Sequence, residues 1–206
     1  MVINYTVQAE VFDIHSDIPK SDIPKQDDIF LVDTNVWYWL TYTQASTSAL
    51  SYQTNVYPSY LMKAISVQAS LRYCGLSLAE LAHNIETTER KIFSATIKAK
   101  DYRHNYPSQR ANVVTEVQTA WSQVTSMASC IDITVDDVSI NKCLVRLQTQ
   151  PLDGYDLLIL EAIAQAGIVN VITDDGDYVT VPGIQVFTAN RNAIAAAANQ
   201  GKLLTR

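Results

Sequence analysis

From residue 29 onward, short apolar runs alternate with stretches long enough to be helices, and this alternation narrows the choice of folds more than any other feature of the chain. Ile29 to Val32, Gly75 to Leu78, Ile131 to Val135, Val169 to Thr173 and Ile184 to Phe187 read as buried strands. Residues 57–73, 79–97, 108–128, 137–148 and 155–166 read as the helices between them. Strand, helix and strand at crossover lengths predict an α/β fold, with a central, mainly parallel sheet covered by helices on both faces in three α/β/α layers. The helix at 155–166 is the clearest: Asp153 is a candidate N-cap, the body from Leu157 to Ala164 is nearly all apolar, and Gly167 supplies a stop. Residues 42–56 and 98–108 carry weak turn chemistry and read as loops.

Residues 1–28 read as an extension of strand and linker ahead of a domain over 29–206. In Val2 to Val11 apolar and polar residues alternate with the period of a strand that has one wet face. This predicts that the segment adds to a sheet edge, either of its own domain or of a second copy in a homodimer. Ser16-Asp-Ile-Pro-Lys20 then repeats as Ser21-Asp-Ile-Pro-Lys25, and two prolines so close exclude continuous helix, so an extended linker is expected.

A chain of 206 residues is large enough to fold without disulfides or a structural metal. Its cysteines, Cys74, Cys130 and Cys143, show neither CxxC nor zinc spacing, which predicts a reducing, cytoplasmic setting. No apolar run approaches the roughly 18–20 residues of a membrane span, so no membrane partner is expected. A net charge of −6 and a pI of about 4.9 speak at first against nucleic acid. The distribution of charge reverses that reading. Residues 1–30 alone carry a net −4, leaving −2 on the rest. Arg90, Lys91, Lys98, Lys100, Arg103 and Arg110 share residues 90–110 with one acid, Asp101. Lys98, Lys100, Arg103 and Arg110 are therefore candidate phosphate-tracking residues, with a solvated helix face as the alternative.

Particular acids follow the expected strands. Asp33 comes directly after Val32, Glu80 two residues after Leu78, and Asp174, Asp175 and Asp177 after Thr173. Ligands of open parallel sheets bind beyond the carboxyl ends of the strands, so three strand ends aim acids at one rim. Asp156 joins them if the first turn of its helix opens there. Two carboxylates about 5 Å apart repel by roughly 3 kcal/mol at an effective dielectric near 20, and a hard divalent cation such as Mg²⁺ or Mn²⁺ resolves that conflict. Such ions activate water and neutralise phosphoryl charge, which predicts a metal-dependent phosphodiester hydrolase.

Each residue also has a structural reading. Asp33 and Asp153 could cap helices, and Asp153 is assigned that role; Asp136 and Asp137 are read as caps, Asp174 as a solvated turn, Glu86 and Glu161 as surface or local pairing. Trp37-Tyr-Trp39 could stack bases or pack a core. His15, His83 and His104 join no nucleophilic constellation. Neither GxGxxG nor GxxxxGK[ST] is present, and the position two residues after Asp33 is Asn35, against a haloacid-dehalogenase-type phosphatase.

Val32-Asp-Thr-Asn-Val36, Leu78-Ala-Glu-Leu81, Tyr155-Asp-Leu-Leu-Ile159 and Ile172-Thr-Asp-Asp-Gly-Asp-Tyr178 resemble, in order and spacing, the four signature segments of PIN-domain nucleases. The resemblance spans about residues 29–190. It implies a PIN-like fold and a Mg²⁺- or Mn²⁺-dependent endoribonuclease that leaves 5′-phosphate and 3′-hydroxyl ends, most commonly a VapC-like toxin restrained by an antitoxin protein. Carried over by position, it makes Asp33, Glu80, Asp156 and Asp175 the catalytic, metal-binding acids, Asp177 an accessory fifth, and Asn35 and Thr173 supporting polar groups. The family's usual Phe in the last segment is here Tyr178. The extension and the long 42–56 segment depart from the compact toxins, which keeps a second class open: a catalytically silent PIN-like scaffold binding RNA or protein.

Overall fold

The computed structural model describes residues 3–15 and 21–206. Its centre is an all-parallel sheet of seven strands: β1 (Glu10–Asp13), β2 (Ile29–Val32), β3 (Ser70–Cys74), β4 (Ser129–Ile131), β5 (Asn170–Ile172), β6 (Gln185–Thr188) and β7 (Leu203–Leu204), in the order β4-β3-β2-β5-β6-β1-β7. Among the described residues eight α-helices flank it: α1 (Thr34–Thr41), α2 (Ser51–Ser66), α3 (Ser77–Phe93), α4 (Ala99–Asn105), α5 (Pro107–Met127), α6 (Asp137–Thr149), α7 (Gly154–Gln165) and α8 (Arg191–Asn199).

The strand pleat divides the core in two. Phe12, Phe30, Val32, Ile172 and Phe187 face a cluster closed by Trp37, Tyr57, Leu61, Leu81 and Val124 from α1, α2, α3 and α5. Their neighbours Val11, Leu31, Val171 and Val186 face a second cluster closed by Cys143, Leu157, Leu160 and Ala193 from α6, α7 and α8. Both faces of the sheet are thus buried, as a parallel sheet with crossover helices requires. None of the described helices is long and apolar enough to cross a membrane.

Several element boundaries differ from the expectation. The strand expected at Gly75–Leu78 is β3, five residues earlier. Leu71 and Tyr73 alternate with half-buried Ser70 and Arg72, whereas the continuous run contains a turn at Gly75 and the start of α3, where Leu78 is exposed. The strand expected at 131–135 is β4, two residues upstream. The expected loop 42–56 holds a 3-10 turn at Ala45–Thr47 and the first residues of α2, a polar start without apolar spacing that is held by Leu50 N–H donating to Gln53 Oε1 at 2.8 Å. The expected loop 98–108 contains α4, whose one fully buried side chain, Tyr102, leaves little hydrophobic signal.

Of the strand expected over 2–11, Val2 lies outside the described residues; the N-terminal strand is assigned at Glu10–Asp13, later than 3–11, and it lies inside the sheet, parallel to β6 on one side and to β7 on the other. Val7 and Ala9 do point inward, so the alternation is real. Their stretch bonds irregularly, with the N–H groups of Gln8 and Ala9 both reaching Val179 O, at 2.8 and 3.0 Å. Of the repeated pentapeptide, the copy at Ser16–Lys20 lies outside the described residues. In the second copy Asp22 is buried and accepts from the Tyr60 hydroxyl and the Arg206 guanidinium.

Candidate active site

The chain passes from β2 outward to β3 and β4, then returns to place β5 on the other side of β2. Strand order reverses at the β2/β5 pair, the place where ligands of open parallel sheets bind, in the crevice expected beyond the carboxyl ends of the strands. Asp33 leaves β2, its N–H donating to Ile172 O at 3.0 Å, and Thr173 leaves β5. The fully buried Thr173 hydroxyl donates to Asp33 Oδ2 at 2.7 Å and accepts Asp175 N–H at 2.9 Å, so one side chain ties both walls of the crevice. Asp33 occupies the N-cap position of α1, yet its carboxylate caps no N–H. The capping alternative therefore fails for this residue.

Glu80 and Asp156 come from the first turns of α3 and α7. Asp153 is the cap of α7, accepting from Tyr155 N–H at 2.9 Å and Asp156 N–H at 3.2 Å, which leaves the Asp156 carboxylate to accept the Tyr178 hydroxyl at 2.7 Å. Asp175 Oδ1 accepts Asp177 N–H at 2.8 Å and fixes the turn that carries both. Asn35 is half-buried on the first turn of α1.

Electrostatics reports how these groups see one another. Burial, then the charges of Glu80, Asp156 and Asp175, hold the Asp33 carboxyl well above its ordinary range, against the Thr173 hydrogen bond. Asp156 is pushed up to about 7, first by burial and then by Asp153, Asp175 and Glu80, with the Tyr178 hydroxyl opposing. Glu80, Asp175 and Asp177 are raised as well, each chiefly by burial and then by neighbouring acids. Thr34, fully buried beside Asp33, faces Glu80 without reaching hydrogen-bond geometry and leaves its hydroxyl unpartnered.

Asp174 takes a role that differs from its sequence reading, and Glu86 and Glu161 keep the pairing read for them but not the surface position. Asp174 is no solvated turn: it accepts from Tyr52 OH at 3.0 Å, Gln53 Nε2 at 2.6 Å and Tyr57 OH at 2.7 Å, tying the acid turn to α2. Glu86 is buried, not on the surface, with Arg103 Nε and Nη2 at 2.7 and 2.6 Å and Arg110 Nη1 at 3.0 Å on its carboxylate. Glu161 is likewise buried, accepting from Lys142 Nζ at 2.7 Å. Two members of the basic strip, Arg103 and Arg110, are thus anchored on Glu86, while Lys98 and Lys100 are exposed. Asp136 caps α6 as expected, and Trp37 is a core residue with no exposed face for a base. Tyr178 has a role that no sequence expectation assigns to it, orienting Asp156 through its hydroxyl. Its signal was the hydroxyl that distinguishes it from Phe in the last acidic segment.

The donor set suits a hard cation: it is all oxygen, its carboxyls are driven toward the neutral form first by burial and then by one another, and a buried hydroxyl beside it lacks a partner. Among the described residues no three His, Cys, Asp or Glu side chains are gathered tightly enough to hold an ion directly. Mg²⁺ commonly binds through one or two carboxylates and keeps several waters, and Thr34 would be satisfied by such a water. The chain matches no protein-family model and no curated protein.

Proposed function

We propose that the protein is a Mg²⁺- or Mn²⁺-dependent endoribonuclease of PIN-domain type, cleaving RNA to 5′-phosphate and 3′-hydroxyl ends. The observation that carries this reading is the placement of Asp33, Glu80, Asp156 and Asp175, none of them bridged to a Lys or Arg among the described residues, around the β2/β5 reversal of strand order, with Thr173 and Tyr178 orienting two of them. Acids half-buried or buried together, each raised chiefly by burial and then by its acidic neighbours, are costly to the fold unless they serve a ligand of opposite charge. A divalent ion bound there supplies charge neutralisation and water activation for phosphodiester hydrolysis.

The chain's own residues do the positioning. Thr173 sets the orientation of Asp33 and, through the Asp175 amide, of the acid turn. Tyr178 sets Asp156. Asp177 stands beside Asp175 as the accessory acid, and Asn35 flanks Asp33 on α1. A toxin role with a protein antitoxin belongs to the same reading and predicts a small basic protein encoded nearby.

Purified full-length chain with Mn²⁺ is expected to cleave single-stranded RNA. Asp33→Asn should reduce the rate by about 100-fold or more, since transition-state charge stabilisation of several kcal/mol is lost at roughly tenfold per 1.4 kcal/mol. Equal rates for the two proteins would sink the proposal. One observation favours a second reading, a catalytically silent PIN-like scaffold: among the described residues no three acids are gathered for direct ligation. Calorimetry separates the two, because a working site should bind Mn²⁺ with a heat that Asp175→Asn abolishes.

A further inference from the structure

A groove of about 670 Å³ runs along α3 and α5, lined by Glu80 of the acid set and by Tyr155, the neighbour of Asp156, and further along by His83, Glu86, Arg103 and Arg110. Glu80, His83 and Glu86 succeed one another at three-residue steps on α3, so Glu86 lies about 9 Å along the helix from Glu80. Its carboxylate is the buried anchor of the groove, with a side chain only 8% exposed, whereas the arginine side chains bound to it are 43% and 47% exposed. Each guanidinium spends only part of its five-donor fork on Glu86 and keeps N–H groups for another acceptor. Around Glu86, one carboxylate against two guanidiniums leaves a local positive surplus, while Glu80 belongs to the acid end of the groove.

Tyr155 lines the same groove, next in sequence to Asp156, with 52% of its surface exposed. Three valines of α5 complete an apolar wall. Guanidinium forks for phosphates, an exposed aromatic face for a base and an apolar wall for base or ribose are the components of a single-strand track. An acidic peptide would use the guanidiniums and leave the aromatic face idle.

Resting on the endoribonuclease reading, we infer that this groove binds the single-stranded RNA flanking the scissile phosphate: Arg103 and Arg110 contact the backbone, Tyr155 stacks a base, and Glu86 is a positioning residue that holds both arginines toward the strand. Glu86 gives the inference a sign that simple charge does not. Removing its negative charge should tighten RNA binding if only net charge mattered; if Glu86 aims the arginines, removal should weaken it.

The test is fluorescence anisotropy of a labelled single-stranded RNA oligonucleotide on the full-length Asp33→Asn chain, across a salt series. Adding Arg103→Ala or Arg110→Ala should each weaken binding about tenfold, and each lost phosphate contact should flatten the log–log salt slope by about 0.7. Tyr155→Ala should weaken binding about tenfold with the slope unchanged. Glu86→Gln should weaken it despite the added positive charge. If that variant melts early, Arg103→Lys, which keeps the charge and loses the fork, should bind like Arg103→Ala. Arginine variants that bind like the background, or a Glu86→Gln that binds more tightly, overturn the inference. So does a polyglutamate peptide that competes as well as RNA through the same arginines. Cleavage is read separately on gels with the wild-type chain. If that chain cuts nothing while the binding pattern holds, the nuclease reading fails and the groove stands.

Discussion

Thr173 acts with a single hydroxyl on two sides of the acid site, donating a hydrogen bond to Asp33 and accepting one from the amide of Asp175. The arrangement orients Asp33 without neutralising it, and the repulsion from Glu80 and Asp156 remains. That residual conflict has a measurable pH dependence. Asp156 is about 7 in the folded chain against roughly 3.9 in an unfolded one, so the folded state binds the extra proton between those values. Stability from this group is fully present below about pH 4 and is lost as pH rises through about 7. In EDTA the melting temperature should therefore fall between pH 5 and pH 8, and Asp156→Asn, which still accepts from Tyr178, should flatten that fall. At pH 8 the variant should melt above wild type by about 3 °C or more, since 1 kcal/mol moves a domain of this size by roughly 2–4 °C. Mn²⁺ should stabilise the wild type more at pH 8 than at pH 5, because a proton must leave before the carboxylate can bind. An equal response at both pH values would remove Asp156 from the ion site.

The acids stood out in the sequence because each follows an apolar run or opens a helix; the elements that hold them were harder to read. β2, β5 and β6 are continuous apolar runs and were legible within a residue or two. β3 was not, because Arg72 interrupts it and the better apolar run beside it opens α3. α4 and the start of α2 are polar helices whose formation rests on contacts made elsewhere: Tyr102 in the core, Gln53 on Asp174. The turn at Gly176–Thr180 illustrates the same limit. It carries Asp177, follows Asp175, and is held by the N-terminal segment, through Gln8 and Ala9 on Val179 and through the Tyr5 phenol packed on Gly176. A Cβ at Gly176 would overlap that phenol. Gly176→Ala should push the Tyr5 phenol aside and cost about 1 kcal/mol, or a few degrees in a thermal melt, the low end of what overpacking costs, because the clash falls on the outer end of a half-buried side chain. In a Tyr5→Ala background the same substitution should cost almost nothing. If the two effects add, the N-terminal segment does not brace the acid turn.

At the scale of the molecule, both ends of the described chain are built into one side of the sheet, with β1 between β6 and β7 and the Gln200 side chain joined to Val7 N–H and Tyr5 O. Arg206 closes that side. Its guanidinium donates to Asp22 and Asp28 at 2.6 to 3.2 Å and lies 4.5 Å over the Phe187 ring. The two carboxylates are 1% and 8% exposed and the arginine 19%, so the triad is shielded from water and from salt. It joins residues 22–28, otherwise without regular structure, to the aromatic layer of Phe12, Phe30 and Phe187. Such a triad contributes less than its distances suggest, because three charges were desolvated to form it; breaking it is another matter, since two carboxylates would remain buried without a cation. Arg206→Ala should therefore cost about 3–5 kcal/mol, or roughly 10 °C in melting temperature. Replacing the charges together, with Asp22→Asn, Asp28→Asn and Arg206→Met, should recover much of that loss. A single Arg206→Ala chain that melts with wild type would show that residues 22–28 are held by the aromatic layer alone.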